Sequence, residues 1–234
     1  MCYRGTKYPM TEIEHKLDYK RIERLGFGET IFCEGKSTIQ IDAILNEAAK
    51  NTSEFLLTRL SENKFEGLSS QNKKQVEFDL ASKTGFFRFK PGRRRKELVA
   101  VISAGTSDAY AAHEVIRTLE FNGIIAHRIF DVGVAGLWRL LERLEEIKRF
   151  PIVIVVAGMD AALPTVIGGL VSGVIIAVPT SVGYGVARDG ETALKSCLVS
   201  CSPGITVCNI DNGYGAAIAA LRVIFASESL KERT

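Results

Sequence analysis

The fold class of this chain is decided by residues 97–123, ELVAVISAGTSDAYAAHEVIRTLEFNG. Residues 97–103 are a short apolar run, which is typical of a strand buried on both faces. Residues 108–122 follow with apolar side chains at helical spacing and end at Asn122 and Gly123, where helices commonly stop. A buried strand that leads into such a helix indicates a right-handed βαβ unit.

The same alternation continues to the end of the chain. Four more apolar runs suit buried strands, at residues 124–130, 152–157, 174–178 and 204–210. Helical patterns separate or follow them, at residues 137–148, 162–170, 191–200 and 214–227. Five strands that alternate with helices predict an α/β domain with an open parallel sheet and helices on both faces.

Ahead of this domain the pattern is less regular. Glycines at Gly26 and Gly28 indicate a turn. Residues 39–60 carry apolar side chains at the spacing of an amphipathic helix, which Ser37 or Thr38 can cap.

A linker is predicted at residues 90–96, KPGRRRK, where proline and glycine precede a basic run. The basic run is typical of a solvated connector, and contact with a ligand phosphate or a partner is the alternative. We therefore predict a smaller α/β or irregular N-terminal domain in residues 1–95 and the parallel domain in residues 96–234.

Composition narrows the class of protein. Hydrophobic residues make up 46% and charged residues 24%, as in a globular chain. The 30 basic and 27 acidic side chains are too balanced to favour a nucleic-acid partner. The longest apolar stretches, residues 152–158 and 173–179, fall far short of the roughly 20 residues that span a bilayer. Without an apolar secretory signal at its start, the protein is expected in the cytoplasm and not in a membrane.

The cysteines suggest free thiols in a reducing compartment, because their number is odd. They are Cys2, Cys33, Cys197, Cys201 and Cys208. There is no C-x-x-C pair and the three histidines are scattered, so a structural zinc site is not expected. Cys197 and Cys208 are typical of core positions. Cys197 and Cys201 are four residues apart, so on one helix they would share a face. Ser202, Pro203 and Gly204 are expected to end that helix and place the Cys201 thiol near a loop, either as an ordinary thiol or as a nucleophile.

The chemistry is expected at one edge of the sheet, because ligands of such domains bind beyond the carboxyl ends of the strands. The segments that follow the five strands are polar or rich in glycine. They are residues 104–108, 131–133, 158–160, 179–185 and 211–215. We call these five segments the rim.

Two rim segments suggest how a nucleotide is held. Gly105, Thr106, Ser107 and Asp108 open a helix, where backbone N–H groups and hydroxyls favour a phosphate or ribose; a simple helix cap is the alternative. The glycine-rich residues 183–190 could form a flap over the ligand or be an ordinary turn.

A family resemblance covers residues 97–226. Six motifs occur in order, GTSDAYAAHEV, DVGVAGLWRLL, AGMDAALPTVIGGL, AVPTSVGYG, SCSPG and VCNIDNGYGAA, and residues 26–36, GFGETIFCEGK, precede them. Together they resemble the LarB family, the pyridinium-3,5-biscarboxylic acid mononucleotide synthases of nickel-pincer nucleotide biosynthesis. The resemblance implies a flavodoxin-like, PurE-like catalytic domain, similar to the aminoimidazole ribonucleotide carboxylases and mutases of the purine pathway.

The resemblance implies a carboxylase and hydrolase. Its substrates are nicotinic acid adenine dinucleotide and CO2: the pyridinium ring is carboxylated and the phosphoanhydride is hydrolysed to release AMP. Cys201 of the SCSPG motif would add transiently to the ring, since a thiolate is a soft nucleophile and the ring is electron-poor. Asp160 takes the place of the family's usual glutamate and would orient the ring or move the proton. Its carboxylate is one methylene shorter, so its reach to the same atom differs.

The resemblance also implies roles for the rest of the rim. Gly105, Thr106, Ser107 and Asp108 would hold the ribose phosphate, and Ser181, Gly183 and Tyr184 would shape the loop over the ring. Asp131 and Asp211, with Asn212 beside it, would bind ribose hydroxyls, or one of the two aspartates would bind the Mg²⁺ that the resemblance implies. No organic cofactor is expected. A homo-oligomer, an octamer as in the purine relatives, is expected. The alanine-rich last helix would allow close packing between copies; packing of that helix on its own sheet is the alternative.

Two alternatives accompany this interpretation. The first is a purine-pathway carboxylase or mutase, but those enzymes carry a histidine where this chain has Ala162 and a second one near Gly133. Loss of both imidazoles argues against purine chemistry. The second is a non-catalytic nucleotide-binding regulator, which only the replacement of glutamate at Asp160 favours.

Overall fold

The computed structural model describes residues 15–92 and 97–233. The basic run at residues 93–96 and Cys2 lie outside the described residues. The described chain forms two α/β units, each with its own sheet and its own core.

The N-terminal unit is a mixed four-stranded sheet with helices, so of the two alternatives predicted for this region the α/β one is correct. Its strands are β1 (Thr30–Phe32), β2 (Phe55–Thr58), β3 (Val76–Asp79) and β4 (Thr84–Phe87), in the order β1-β2-β4-β3. The first pair is parallel and the other two pairs are antiparallel. Its helices are α1 (Arg21–Leu25), α2 (Thr38–Lys50), α3 (Glu62–Glu66) and α4 (Ser70–Lys73).

The predicted helix at residues 39–60 is correct only in its first part. Ser37 caps α2 in a capping box with Gln40, as one of the two predicted caps. The helix ends at Lys50, and residues 55–58 form β2, all four of them buried. A short, fully buried apolar run cannot be distinguished from a helix by periodicity, and this explains the error.

The C-terminal unit is the predicted open parallel sheet. Its strands are β5 (Val99–Ser103), β6 (Ala126–Ile129), β7 (Ile152–Ala157), β8 (Val174–Pro179) and β9 (Ile205–Val207), in the order β6-β5-β7-β8-β9. All four pairings are parallel. The outer strands β6 and β9 are shorter than predicted.

Helices cover both faces of this sheet, and each face has its own hydrophobic core. On one face lie α5 (Ala109–Phe121) and α10 (Gly213–Lys231). On the other lie α6 (Leu137–Glu142), α7 (Leu144–Ile147), α8 (Ala162–Gly168) and α9 (Glu191–Leu198). Within the two described ranges, no helix is at once long and apolar enough to pass through a membrane.

Two helix predictions need correction in this unit. The helix predicted at residues 137–148 is interrupted at Arg143 and forms α6 and α7. The helix predicted at residues 191–200 ends at Leu198, so Cys201 does not share a helix face with Cys197. The glycine and proline that follow Cys201 lie further along the turn and do not mark the helix end.

The N-terminal unit packs against α5. Phe121 of this helix lies 5.3 Å from the ring of Phe86, and the guanidinium of Arg117 lies 3.6 Å above that same ring. Because α5 begins at the rim, this packing brings the end of β2 close to the predicted site.

Candidate active site

Hydrogen bonds join the five rim segments along the carboxyl edge of the sheet. Backbone N–H groups of one segment donate to carbonyls of the neighbouring strand or segment: Val132 to Ser103, Ala104 to Val156, Met159 to Val182, Thr180 to Ala157, and Asp211 to Pro179, at 2.7–3.2 Å. The structure therefore places the predicted rim residues together.

Asp108 is buried and links two segments of the rim by hydrogen bonds. One carboxylate oxygen accepts from the backbone N–H of Gly105 at 2.9 Å, and the other accepts from the hydroxyl of Thr180 at 2.6 Å. The side chain is 4% exposed, and burial raises its pKa above the ordinary 3.8. The prediction that Asp108 holds the ribose phosphate needs correction, because both oxygens face donors inside the protein and an anion would repel the phosphate.

Thr106 and Ser107, in contrast, are exposed on the same turn. The turn is a short 3-10 helix, Thr106–Asp108, that runs directly into α5. Within the described chain, neither hydroxyl has a hydrogen-bond partner, so both are available to a ligand. Hydroxyls at the start of a helix suit a phosphate, because the first N–H groups of the helix point the same way.

Asp160 stands on a strained turn between β7 and α8. Its neighbours Met159 and Ala161 have left-handed backbone angles, with φ of 57° and 47°, which are costly for residues other than glycine. Gly158 is required there because a Cβ atom would lie 2.5 Å from the Thr180 hydroxyl and the Val182 carbonyl. The turn presents the exposed Asp160 carboxylate at the rim, with one weak contact of 3.4 Å from the Ala162 N–H.

Asp131 and Asp211 follow the two edge strands, so they cannot share an ion. Four strand spacings of about 4.8 Å separate them by roughly 19 Å. Asp131 accepts from Arg139 at 2.7 Å. Asp211 accepts from the Ser181 N–H at 2.8 Å and from the Tyr110 hydroxyl.

A magnesium site built by the protein alone does not fit these residues. In the described ranges, no three His, Cys, Asp or Glu side chains converge as metal ligands. Each of the two candidate aspartates also has an internal hydrogen-bond partner. Magnesium is commonly held by one or two carboxylates together with substrate phosphates, and only that mode is compatible with this rim.

The remaining predicted site residues differ in their exposure and in their contacts. Ser181 and Tyr184 are exposed, Tyr184 to 78%. Gly183 has no room for a side chain because the Ala187 carbonyl lies against it, so residues 183–187 form a tight turn. Asn212 caps α10 by accepting from the Gly215 N–H at 2.7 Å, which gives its side chain a structural partner.

Two residues of the site, Arg59 and Tyr110, were missed in the sequence, and Thr180 was predicted only as a member of the rim. Tyr110 joins Ser181 and Asp211, and Thr180 joins Asp108. Arg59 comes from the end of β2 and donates to the Asp211 carbonyl and, at 3.2 Å, to the Glu114 carboxylate. Tyr110 follows Ser107 by three residues and could have been found as its neighbour on one helical turn, whereas nothing local points to Arg59.

Cys201 differs from the other described cysteines because it is exposed. Burial raises the pKa of Cys33 to about 12 and that of Cys197 to about 11, and it also raises the pKa of the half-buried Cys208. Of the four described cysteines, only Cys201 is exposed. The predictions that Cys197 and Cys208 lie in the core and that Cys201 lies in a loop are confirmed.

The thiol of Cys201 nevertheless lies away from the rim of its own chain. Cys201 precedes β9, so it is near the amino end of a strand, whereas the rim follows the carboxyl ends. Its neighbour Ser200 contacts Thr165 at 2.7 Å, and Ser202 lies against Gly168 at the end of α8. Asp160 precedes the beginning of that helix. One chain therefore does not bring Cys201 and Asp160 to the same end of the sheet.

Comparisons with known proteins agree with this architecture. Residues 11–88 match the LarB/PurE-like N-terminal domain family, and residues 98–233 match the AIR carboxylase family. An uncharacterized protein of Methanocaldococcus jannaschii is 36% identical over 222 residues, which cover 91% of this chain and 85% of that protein. The N5-carboxyaminoimidazole ribonucleotide mutase of the same organism is 34% identical over 132 residues, 54% of this chain and 78% of the mutase.

The two matched families occur in the order that the motifs predicted. An N-terminal LarB domain joined to an AIR carboxylase domain indicates a carboxylase-type enzyme. The chain belongs to the LarB family.

Proposed function

We propose that this protein carboxylates the pyridinium ring of nicotinic acid adenine dinucleotide with CO2 and hydrolyses its phosphoanhydride. The products are AMP and pyridinium-3,5-biscarboxylic acid mononucleotide, a precursor of the nickel-pincer cofactor. One observation carries the proposal. The chain joins both LarB-family domains to an exposed Cys201 thiol, while no rim segment contains a histidine.

The rim supports binding of the ribose phosphate next to the ring. The free hydroxyls of Thr106 and Ser107 hold the phosphate at the start of α5. The exposed Tyr184 lies on the neighbouring loop and can cover an aromatic ring. Asp108 positions this turn and does not itself contact the ligand.

The carboxylation requires a nucleophile that adds to the ring and later leaves. The Cys201 thiolate forms a C–S bond with a ring carbon, and the electron pair moves onto the ring nitrogen. The resulting enamine carbon forms a C–C bond with CO2. Asp160 accepts the proton from that carbon, and expulsion of the thiolate restores the pyridinium ring.

The thiol comes from a second copy of the chain, because Cys201 and Asp160 lie at opposite ends of α8 in one copy. Exposed apolar side chains support such an assembly at both places. Tyr184 and Val186, which is 93% exposed, lie at the rim, and Leu198 and Val199, which is 77% exposed, precede Cys201. Contact between these two surfaces would bury both and bring the thiol to the rim of the neighbour.

Magnesium, where the reaction uses it, would be held mainly by the phosphates of the substrate. Asp131 or Asp211 could add one carboxylate. No step above depends on the ion.

The direct test is incubation with nicotinic acid adenine dinucleotide, bicarbonate and Mg²⁺, with AMP and the dicarboxylated mononucleotide measured by mass spectrometry. Wild type should form both. Cys201→Ala should lose carboxylation by at least about a thousandfold, because the covalent step is gone. Cys208→Ala is the matched control and should retain most activity, since that thiol packs against the core. Absence of AMP with wild-type protein at every pH tested would overturn the proposal.

The similarity to the N5-carboxyaminoimidazole ribonucleotide mutase supports a second candidate, a mutase acting on that ribonucleotide. The rim lacks the imidazoles that such proton transfers use. Turnover of the ribonucleotide by wild type, without turnover of the dinucleotide, would favour the mutase. Tight binding of the dinucleotide without any turnover, unchanged by Asp160→Glu, would favour a non-catalytic regulator.

A further inference from the structure

A small cavity lies between the N-terminal unit and the first two turns of α5. It has a volume of about 150 Å³ and is lined from the N-terminal side by Glu34, Arg59, Ser61, Lys64, Ser82 and Lys83, and from α5 by Tyr110 and Glu114. At ~30 Å³ for each water, that is room for about five water molecules. The cavity fits a phosphate group but not a whole nucleotide.

The cavity is rich in hydrogen-bond donors that have no partner. The ammonium of Lys83 is exposed and has no carboxylate within ion-pair distance in the part of the chain that the structure describes. Lys64 donates to the carbonyls of Cys33 and Glu34, at 2.7 and 2.5 Å, and keeps one of its three donors free. Both lysines therefore have donors that remain free beside the cavity that they line.

Arg59 is fixed in place by the other unit. Its Nε donates to Glu114 at 3.2 Å and its Nη2 donates to the Asp211 carbonyl, so Nη1 remains available. Glu114 is 3% exposed as a residue, and it also accepts from the Tyr214 N–H at 3.1 Å. Its carboxylate is thus occupied by internal donors. The lining therefore has three cationic residues, set against Glu114 and the exposed Glu34.

The cavity adjoins the rim through Tyr110. The Tyr110 hydroxyl contacts both Ser181 and Asp211 of the rim while its ring lines the cavity. At a rise of about 1.5 Å per residue, Tyr110 and Glu114 lie roughly 5 and 10 Å along α5 from Ser107. The cavity therefore begins about one helical turn from Thr106 and Ser107, the residues proposed to hold the first phosphate of a diphosphate.

We infer that the N-terminal unit binds the adenylate phosphate of the dinucleotide in this cavity through Lys83, Lys64 and Arg59. The inference rests on the proposed function, since it assigns a subsite for the part of the substrate released as AMP. The match to the mutase is consistent with it. That match spans 132 residues, which is too few to include both domains of this chain. The name of the mutase gives a single ribonucleotide as its substrate, without a second nucleotide.

The probe is AMP, because its binding can be measured whether or not the enzyme turns over. Isothermal titration should show AMP binding to wild type that weakens about tenfold in Lys83→Gln, the loss of one charged hydrogen bond. Lys50→Gln is the matched control: it removes an exposed lysine of the same unit, at the end of α2, and should leave the AMP affinity unchanged. Adenosine, which lacks the phosphate, should bind both lysine variants and wild type equally.

Kinetic measurements distinguish a failure of this inference from a failure of the proposed function. With the dinucleotide, Lys83→Gln should raise KM about tenfold, whereas with nicotinic acid mononucleotide, which has no adenylate, KM should not change. Weaker AMP binding in Lys83→Gln supports the cavity even if no carboxylation occurs. If wild type does not bind AMP at millimolar concentration, or binds it no better than Lys83→Gln does, the inference is overturned even when carboxylation is observed.

Discussion

Asp108 shows how one residue organises the site without touching the substrate. Its two oxygens hold the turn after β5 and the start of the loop after β8. Since burial raises its pKa, the folded protein binds the Asp108 proton more tightly than the unfolded chain. Its contribution to stability is therefore full below pH 3.8, its ordinary pKa, and is lost as the pH rises through the raised value.

Asp108→Asn tests this role. The amide replaces one acceptor by a donor, which should cost about 1–3 kcal/mol in the free energy of unfolding. Because asparagine does not titrate, the difference from wild type should be largest at acid pH and should narrow as the pH rises. Urea unfolding of both proteins below pH 3.8 and at increasing pH up to neutrality measures it. Asp189→Asn, at an exposed aspartate outside the rim, should show no such difference. A gap that widens with pH would contradict the raised pKa.

At the scale of elements, the turn between β7 and α8 is where local geometry decides the site. The left-handed residues Met159 and Ala161 are separated only by Asp160, and Gly158 lies against the neighbouring loop. Such a turn persists only when the surrounding elements hold it, which here is the packing of the β7 and β8 ends.

Gly158→Ala should therefore displace the turn. Its Cβ atom would meet the Thr180 hydroxyl and the Val182 carbonyl at 2.5 Å, and relief of that contact should cost about 1–3 kcal/mol and lower carboxylation strongly. Gly28→Ala is the control, because a Cβ atom there meets nothing within 4 Å. Thermal unfolding and the AMP assay measure the two effects. Wild-type stability and rate in Gly158→Ala would show that the turn tolerates a shift.

At the scale of the whole molecule, the proposed function divides the site between copies of the chain. Cys201→Ala and Asp160→Asn should each be inactive alone, but co-expressed they should regain activity, since some sites combine an intact thiol with an intact carboxylate. Random assembly gives about one quarter of the wild-type sites. The oligomer should be seen by sedimentation velocity.

A disulfide test checks the same arrangement without activity. Asp160→Cys should form a disulfide with Cys201 of a second copy and run as a covalent dimer on a non-reducing gel. The same variant with Cys201→Ala should remain a monomer. If the protein stays a monomer and both thiols are lost, the disulfide has formed within one chain. That result would contradict the shared site.

Much of the fold followed from periodicity. Residues 152–157 were predicted as a strand and form β7 with the same bounds, because a strand buried on both faces leaves a continuous apolar run. The strand at residues 55–58 was missed because a run of four apolar residues fits a helix equally well. The exposed position of Asp160 and Cys201 also followed, since polar residues after strands or before glycine lie in loops.

The sequence by itself determined the α/β class, the parallel sheet, its rim and the family, because all of these depend on local patterns and on the order of motifs. Only the tertiary structure decided that Asp108 is buried, that Arg59 reaches the rim from the other unit, and that Cys201 lies at the opposite end of the sheet. These features depend on contacts between residues far apart in the chain, such as Arg59 with Asp211 and Asp108 with Thr180. A local pattern contains no information about which distant groups meet, so the site's electrostatics emerged only from the folded chain.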